Sequence, residues 1–126
     1  AACQLVVAQR LARKNCKECK VPDDDVTPKV LQDLGFTAEL ASRVKAVKGK
    51  GCAKCSDTGY KGRQGIYEIL SVSKPLKEAI LRKATTPELR EIAIKEGFQT
   101  MQDMGRRLIA AGELNFREYE RVLSGE

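Results

Sequence analysis

Two pairs of cysteines carry the clearest chemistry in this sequence. Cys16 and Cys19 form one C-x-x-C pair, and Cys52 and Cys55 form a second. A C-x-x-C turn places two sulfurs on one side of a metal ion, and two such turns complete the tetrahedral, thiolate-rich shell that zinc prefers. Lys17, Lys20, Lys50 and Lys54 lie within two residues of these cysteines. Positive charge there favours thiolate over thiol and offsets the negative charge of a metal–tetrathiolate centre. The chain has no histidine, and a shell closed by four thiolates leaves no position for a reactive water. The expectation is a structural Zn2+ held by Cys16, Cys19, Cys52 and Cys55. An iron–sulfur centre, a redox dithiol and disulfides are the competing readings. A thioredoxin-like motif needs one C-x-x-C at a strand-to-helix junction, and two pairs argue against it. Five cysteines, four of them closely paired, suit a metal site in a reducing compartment better than a disulfide framework. The fifth, Cys3, reads as a small buried hydrophobe.

Nothing else in the chain offers catalysis. There is no G-x-x-x-x-G-K-[ST] phosphate loop, no nucleophile motif and no histidine for proton transfer. By itself the chain is expected not to be an enzyme. The net charge of +6 comes from 23 basic and 17 acidic residues. Such a surface permits acidic proteins, anionic lipid or nucleic acid as partners and selects none. With aromatic residues at 5% and no Trp, stacking on single-stranded nucleic acid is disfavoured. A four-cysteine nucleic-acid module remains the alternative reading. A chaperone-like zinc unit is a weaker one, because only the stretch from Cys52 to Tyr60 matches a unit that comes in tandem. No signal peptide is visible, and no apolar run approaches the ~20 residues that span a bilayer. The expected location is the cytoplasm.

The elements that must position the cysteines follow from periodicity and capping. Leu5, Val6, Gln9 and Ala12 recur at helical spacing, which predicts a helix over 1–14. No cap precedes it, so the chain is expected to continue a longer protein. Residues 15–22 read as a loop. Thr27-Pro28 is a cap followed by a first-turn proline, with Val30, Leu31 and Leu34 inward and Gly35 as the stop. A further turn is expected over 37–42, with strands over 44–48 and 66–72. Between those strands the second cysteine pair sits among glycines at 49, 51, 59, 62 and 65. Four helices then follow. Ser73–Lys83 points Leu76, Ile80 and Leu81 inward, and the helix from Thr86-Pro87 to Gly97 points Leu89, Ile92 and Ala93 inward. The helix from Thr100 to Gly112 buries Met101, Met104, Leu108 and Ile109. The last begins at Asn115, with Glu118 completing a capping-box pair and Phe116, Tyr119, Val122 and Leu123 inward.

The order of these motifs resembles a known family. Leu5-Val-Val-Ala-Gln9-Arg10-Leu11-Ala-Arg13 followed by Cys16-x-x-Cys19 is similar to the end of the motor core in type IV pilus assembly ATPases and the related type II secretion ATPases. Gly51-Cys52-x-x-Cys55-x-x-x-Gly59-Tyr60-Lys61-Gly62-Arg63-x-Gly65-Ile66-Tyr67-Glu68 resembles the segment around that family's second cysteine pair, and Gly97-Phe98-x-Thr100-Met101 and the Leu114–Leu123 helix fit its end. The resemblance implies a cytoplasmic hexameric ATPase, peripheral at the inner membrane, that powers pilus extension. The implied partners are the rest of the motor, its neighbouring subunits and an inner-membrane platform protein. ATP and Mg2+ would belong to the parent protein, whose phosphate loop, acidic boxes and histidine box would lie upstream of Ala1. Gln9 and Arg10 match the family's A-Q-R-L run and could face the motor core, a neighbouring subunit or solvent. The isolated piece is expected to be monomeric.

The expected fold is therefore α+β and mostly α-helical. It comprises an N-terminal helix over 1–14 ending the upstream core, a zinc-clamped subdomain with a short β-hairpin over 15–72, and a helical subdomain over 73–126.

Overall fold

Hydroxyl side chains start the first four helices. Thr27, Thr37, Ser73 and Thr85 accept hydrogen bonds from the backbone N–H groups of Val30, Leu40, Leu76 and Glu88 at 3.2–3.3 Å. Each cap satisfies one of the amides that a helix start leaves unpaired. The helices so begun are α1 (Pro28–Asp33), α2 (Ala38–Arg43), α3 (Lys74–Leu81) and α4 (Thr86–Lys95). Two more follow, α5 (Met101–Ala110) and α6 (Phe116–Leu123). The strands are β1 (Cys3–Asn15), β2 (Lys20–Pro22), β3 (Val47–Gly49) and β4 (Tyr60–Val72), with a 3-10 turn at Ala53–Cys55. This computed structural model describes residues 3–123, and for Cys3 and Gln4 the backbone alone. The fold class is α+β with more helix than strand, and four helices follow the cysteine-bearing segment.

The first element differs from expectation. Residues 3–15 form β1, hydrogen-bonded to β4, and not a helix. Alanine, glutamine, arginine and leucine favour a helix in isolation, but pairing with a long strand overrides that preference. From Ala8 onward burial alternates, with Ala8, Arg10 and Ala12 turned inward and Gln9, Leu11 and Arg13 exposed. Polarity does not follow this alternation, so the period of two was invisible in the sequence. The side chain of Cys3 lies outside the described residues, so its expected burial is not decided.

The short sheet also differs in kind. In place of the expected hairpin, β3 pairs with β2, which lies in the stretch 15–22 expected as a loop; the two are antiparallel across α1 and α2, with Lys20 opposite Gly49, Val21 opposite Lys48 and Pro22 opposite Val47. The strand expected over 44–48 shrinks to β3, because Val44 closes α2. The strand expected over 66–72 extends back to Tyr60.

The chain divides into two compact units. One comprises Ala1–Gln9 and Tyr67–Met101, the other Arg10–Ile66 and Gln102–Glu126. The second unit holds most of the buried apolar side chains, among them Leu31, Ile66, Ile109, Leu114 and Leu123. The first buries Leu76, Ala79, Ala93 and Met101. In α3 the expected inward residues Ile80 and Leu81 are exposed, while Ala79 is buried with Leu76.

Candidate metal centre

Each cysteine pair is delivered by a strand end and locked to the other pair through backbone bonds. Cys16 follows β1 directly, and its N–H donates to the carbonyl of Gly59 at 2.9 Å. Cys19 precedes β2, and its carbonyl accepts from the N–H of Lys50 at 2.9 Å, continuing the β2–β3 ladder towards Cys52. Cys52 caps the start of the 3-10 turn and Cys55 is its last residue. Two glycines permit this closure. A Cβ on Gly49 would stand 1.9 Å from the Gly59 carbonyl oxygen, and Gly59 has φ +81°, which side-chain-bearing residues rarely adopt.

The four sulfurs converge, each within 4.8 Å of the others. Cys16 and Cys52 are 3.7 Å apart, Cys52 and Cys55 3.7 Å, and Cys19 and Cys55 3.9 Å, measured between Sγ atoms. A tetrahedron with zinc–sulfur bonds of ~2.3 Å has edges of about 3.8 Å, so the donor set fits such an ion. These separations are far beyond the ~2.05 Å of a disulfide bond. Cys16 and Cys55 are buried and the other two half-buried. Among the described residues this is the one cluster of three or more such side chains placed to hold an ion.

Backbone amides prepare the sulfurs for negative charge. Gly51 N–H donates to Cys19 Sγ, and the N–H groups of Cys52 and Gly59 both donate to Cys55 Sγ, each at 3.2 Å. As protein groups alone, the thiols diverge. Burial pushes Cys55 up, but its two amide donors outweigh that and bring it to about 6. Cys19 is pushed up to about 11, by burial first and by the neighbouring thiols, against one amide donor. Cys55 thus becomes a thiolate before Cys19.

Beside the sulfurs, on the same unit, lies a polar network that the sequence reading did not anticipate. Glu118, fully buried, receives Arg13 Nη2 at 3.0 Å, Arg121 Nε at 2.8 Å, Arg121 Nη2 at 2.6 Å and the backbone N–H of Arg13 at 2.6 Å. Burial alone would raise this carboxyl, yet the two guanidiniums and the amide hold it down at about 2. The Arg13 guanidinium also stacks over the Tyr60 ring at 4.1 Å, and Tyr60 Oη accepts from Asn115 Nδ2 at 3.0 Å. Asn115 Oδ1 in turn accepts the Glu118 N–H at 2.7 Å, capping α6 as expected. The other half of the expected capping box is replaced, because the Glu118 carboxylate points to the arginines. One signal was available: Glu118 lies four residues before Val122, on the core-facing stripe of α6. Gln9 is exposed, and Arg10 Nη1 donates to the Val122 carbonyl at 3.1 Å.

Strand-delivered cysteine pairs that converge on one point define a four-cysteine cluster able to hold a metal ion. The chain belongs to the type II/IV secretion system protein family, whose model matches residues 1–121. It is 34% identical over 118 residues to the type IV pilus assembly ATPase PilB of Myxococcus xanthus, covering 94% of this chain and 21% of that protein. It is 38% identical over 103 residues to the PilB of Thermus thermophilus, covering 79% of this chain and 11% of that protein. To the type II secretion system protein HxcR of Pseudomonas aeruginosa it is 32% identical, over 93% of this chain and 21% of that protein. The chain therefore spans about a fifth or less of the length of these relatives.

Proposed function

We propose that this chain is the non-catalytic, zinc-stapled C-terminal domain of a cytoplasmic hexameric ATPase that powers type IV pilus extension. The observation that carries the reading is the convergence of four sulfurs at tetrahedral-edge spacing in a chain similar to pilus assembly ATPases. The ion, when bound by Cys16, Cys19, Cys52 and Cys55, supplies a four-way cross-link and no open coordination position. The pilus is favoured over secretion by identities of 34% and 38% to the PilB proteins above against 31% and 32% to secretion proteins.

A surface feature supports attachment to a larger motor. Leu5, Val6 and Val7 are consecutive in β1, so their side chains alternate between both faces of the strand, yet they are 49%, 62% and 56% exposed. A strand apolar on both faces belongs inside a sheet with covering layers, and the upstream part of the parent supplies them in this reading. ATP, Mg2+ and the platform protein at the inner membrane are engaged by the parent protein.

The test is a comparison of the parent-length protein with its Cys52→Ser, Cys55→Ser variant. Elemental analysis should give one zinc per chain for the parent and none for the variant. The variant should lose pilus extension in cells while the separated upstream part still hydrolyses ATP. Iron with visible charge-transfer absorption, or pili extended normally by a metal-free variant, would overturn the reading. No helix among the described residues is long and apolar enough to cross a membrane.

A further inference from the structure

The polar network beneath α6 opens onto a concavity of about 470 Å³ lined by Leu11, Ala12, Arg13, Arg63 and Arg121. Its charge is unbalanced: three arginines line it, no acidic residue does, and Glu118 pairs with only two of them, Arg13 and Arg121. The Arg63 side chain has no hydrogen-bond or ion-pair partner among the described residues. Glu118 occupies only the Nε and Nη2 edges of Arg13 and Arg121. The Nη1 groups of both remain unpartnered among the described residues, and the two side chains are 49% and 55% exposed. The buried carboxylate thus holds two arginine forks in fixed positions with their outer donors free, which removes much of the entropy cost of closing on a ligand.

We propose that this concavity binds the phosphate group of a small soluble ligand. A tetrahedral phosphate offers three oxygens and can take an N–H from each of three guanidiniums at once, whereas a carboxylate offers two. Glu118, held at about 2, stays ionised and keeps the forks placed at any physiological pH. The half-exposed Leu11 gives an apolar wall for whatever carries the phosphate. The site lies apart from the sulfur cluster in chemistry, since no cysteine lines it.

The experiment titrates the metal-loaded chain with inorganic phosphate and glycerol phosphate, with sodium chloride at matched ionic strength as the blank and acetate as the carboxylate control. Arginine Nε–H resonances report binding residue by residue. Saturable shifts at Arg13, Arg63 and Arg121 are expected with phosphate and not with chloride. Arg63→Ala should bind about tenfold more weakly, consistent with loss of charge-assisted hydrogen bonds, and its thermal midpoint without phosphate should change little, because the Arg63 side chain makes no hydrogen bond or ion pair among the described residues. Arg63→Lys keeps the charge and loses the fork, and should fall between. Equal shifts with chloride, equal affinity for acetate, or an unaltered titration in Arg63→Ala would each overturn the site. Binding to phosphatidic acid vesicles without binding to soluble phosphate would overturn the soluble ligand.

Discussion

The two units solve the problem of burying apolar surface in opposite ways. The unit formed by residues 10–66 and 102–126 has the cysteine cluster, the Glu118 network and a core of large aliphatic and aromatic side chains. Among its described residues only Leu11 and Leu40 are large hydrophobes left exposed. The unit formed by residues 1–9 and 67–101 exposes seven: Leu5, Val6, Val7, Ile69, Ile80, Leu81 and Ile94. The first gathers the four sulfurs and the Glu118 ion pairs within one well-buried core. The second presents apolar surface of the kind that marks an interaction site.

The sharpest way to break this contrast is to remove the metal. A structural zinc contributes ~10 kcal/mol or more to such folds. A strong chelator, or Cys16→Ser, is therefore expected to unfold the cysteine-bearing unit. Hydrogen exchange should accelerate first at Gly51, Cys52 and Gly59, whose amides point at the sulfurs. Unchanged protection there after complete metal removal would mean that the core alone holds the unit.

The next largest effect is expected from the buried carboxylate. Glu118→Ala strands Arg13 and its backbone N–H, and breaking a buried pair in this way costs about 3–5 kcal/mol. Urea denaturation of the metal-loaded variant reads it directly, and Glu118→Gln should cost less because a side-chain oxygen still accepts.

A pH series probes the same group. Its carboxyl is held at about 2 in the fold, below its ordinary value. The folded state therefore binds that proton less readily than the unfolded state. The stabilisation, on the order of 3 kcal/mol, is complete above the ordinary carboxylate range and is lost as pH falls towards 2. Glu118→Gln should flatten that part of the acid limb, and an unchanged slope would assign it to other groups.

The smallest effect is expected on the other unit. Leu81 is 83% exposed, so Leu81→Lys should change the stability of this chain by no more than about 0.5 kcal/mol. The same substitution should weaken assembly of the parent motor if the apolar face is an interface, as read by size-exclusion chromatography with light scattering. A large loss of stability in the isolated chain would instead assign Leu81 to a core.

The helices were largely legible because their signals are local. Thr27, Ser73 and Asn115 announce starts through their own side chains, and Gly35, Gly97 and Gly112 mark stops at positive φ. The cysteine cluster was legible for a similar reason, since paired spacing encodes half of the geometry on each side. Residues 3–15 were not legible. Their composition suits a helix, and their strand conformation comes from β4, which begins at Tyr60. The β2–β3 pairing was not legible, and residues 20–22 read as loop, because these strands meet only after two helices fold between them. The compact units interleave distant segments, which a linear reading cannot express.

By itself the sequence determined the paired cysteines, the helices from residue 27 onward and the family. Ligand type, capping and motif order are properties of neighbouring residues. Tertiary structure alone decided that β1 is a strand, that Glu118 is a buried anchor for Arg13 across 105 positions of chain, and that three arginines share one concavity. Those features arise from pairing and burial between residues far apart in sequence, where the free energy of contact exceeds the local preference of either partner.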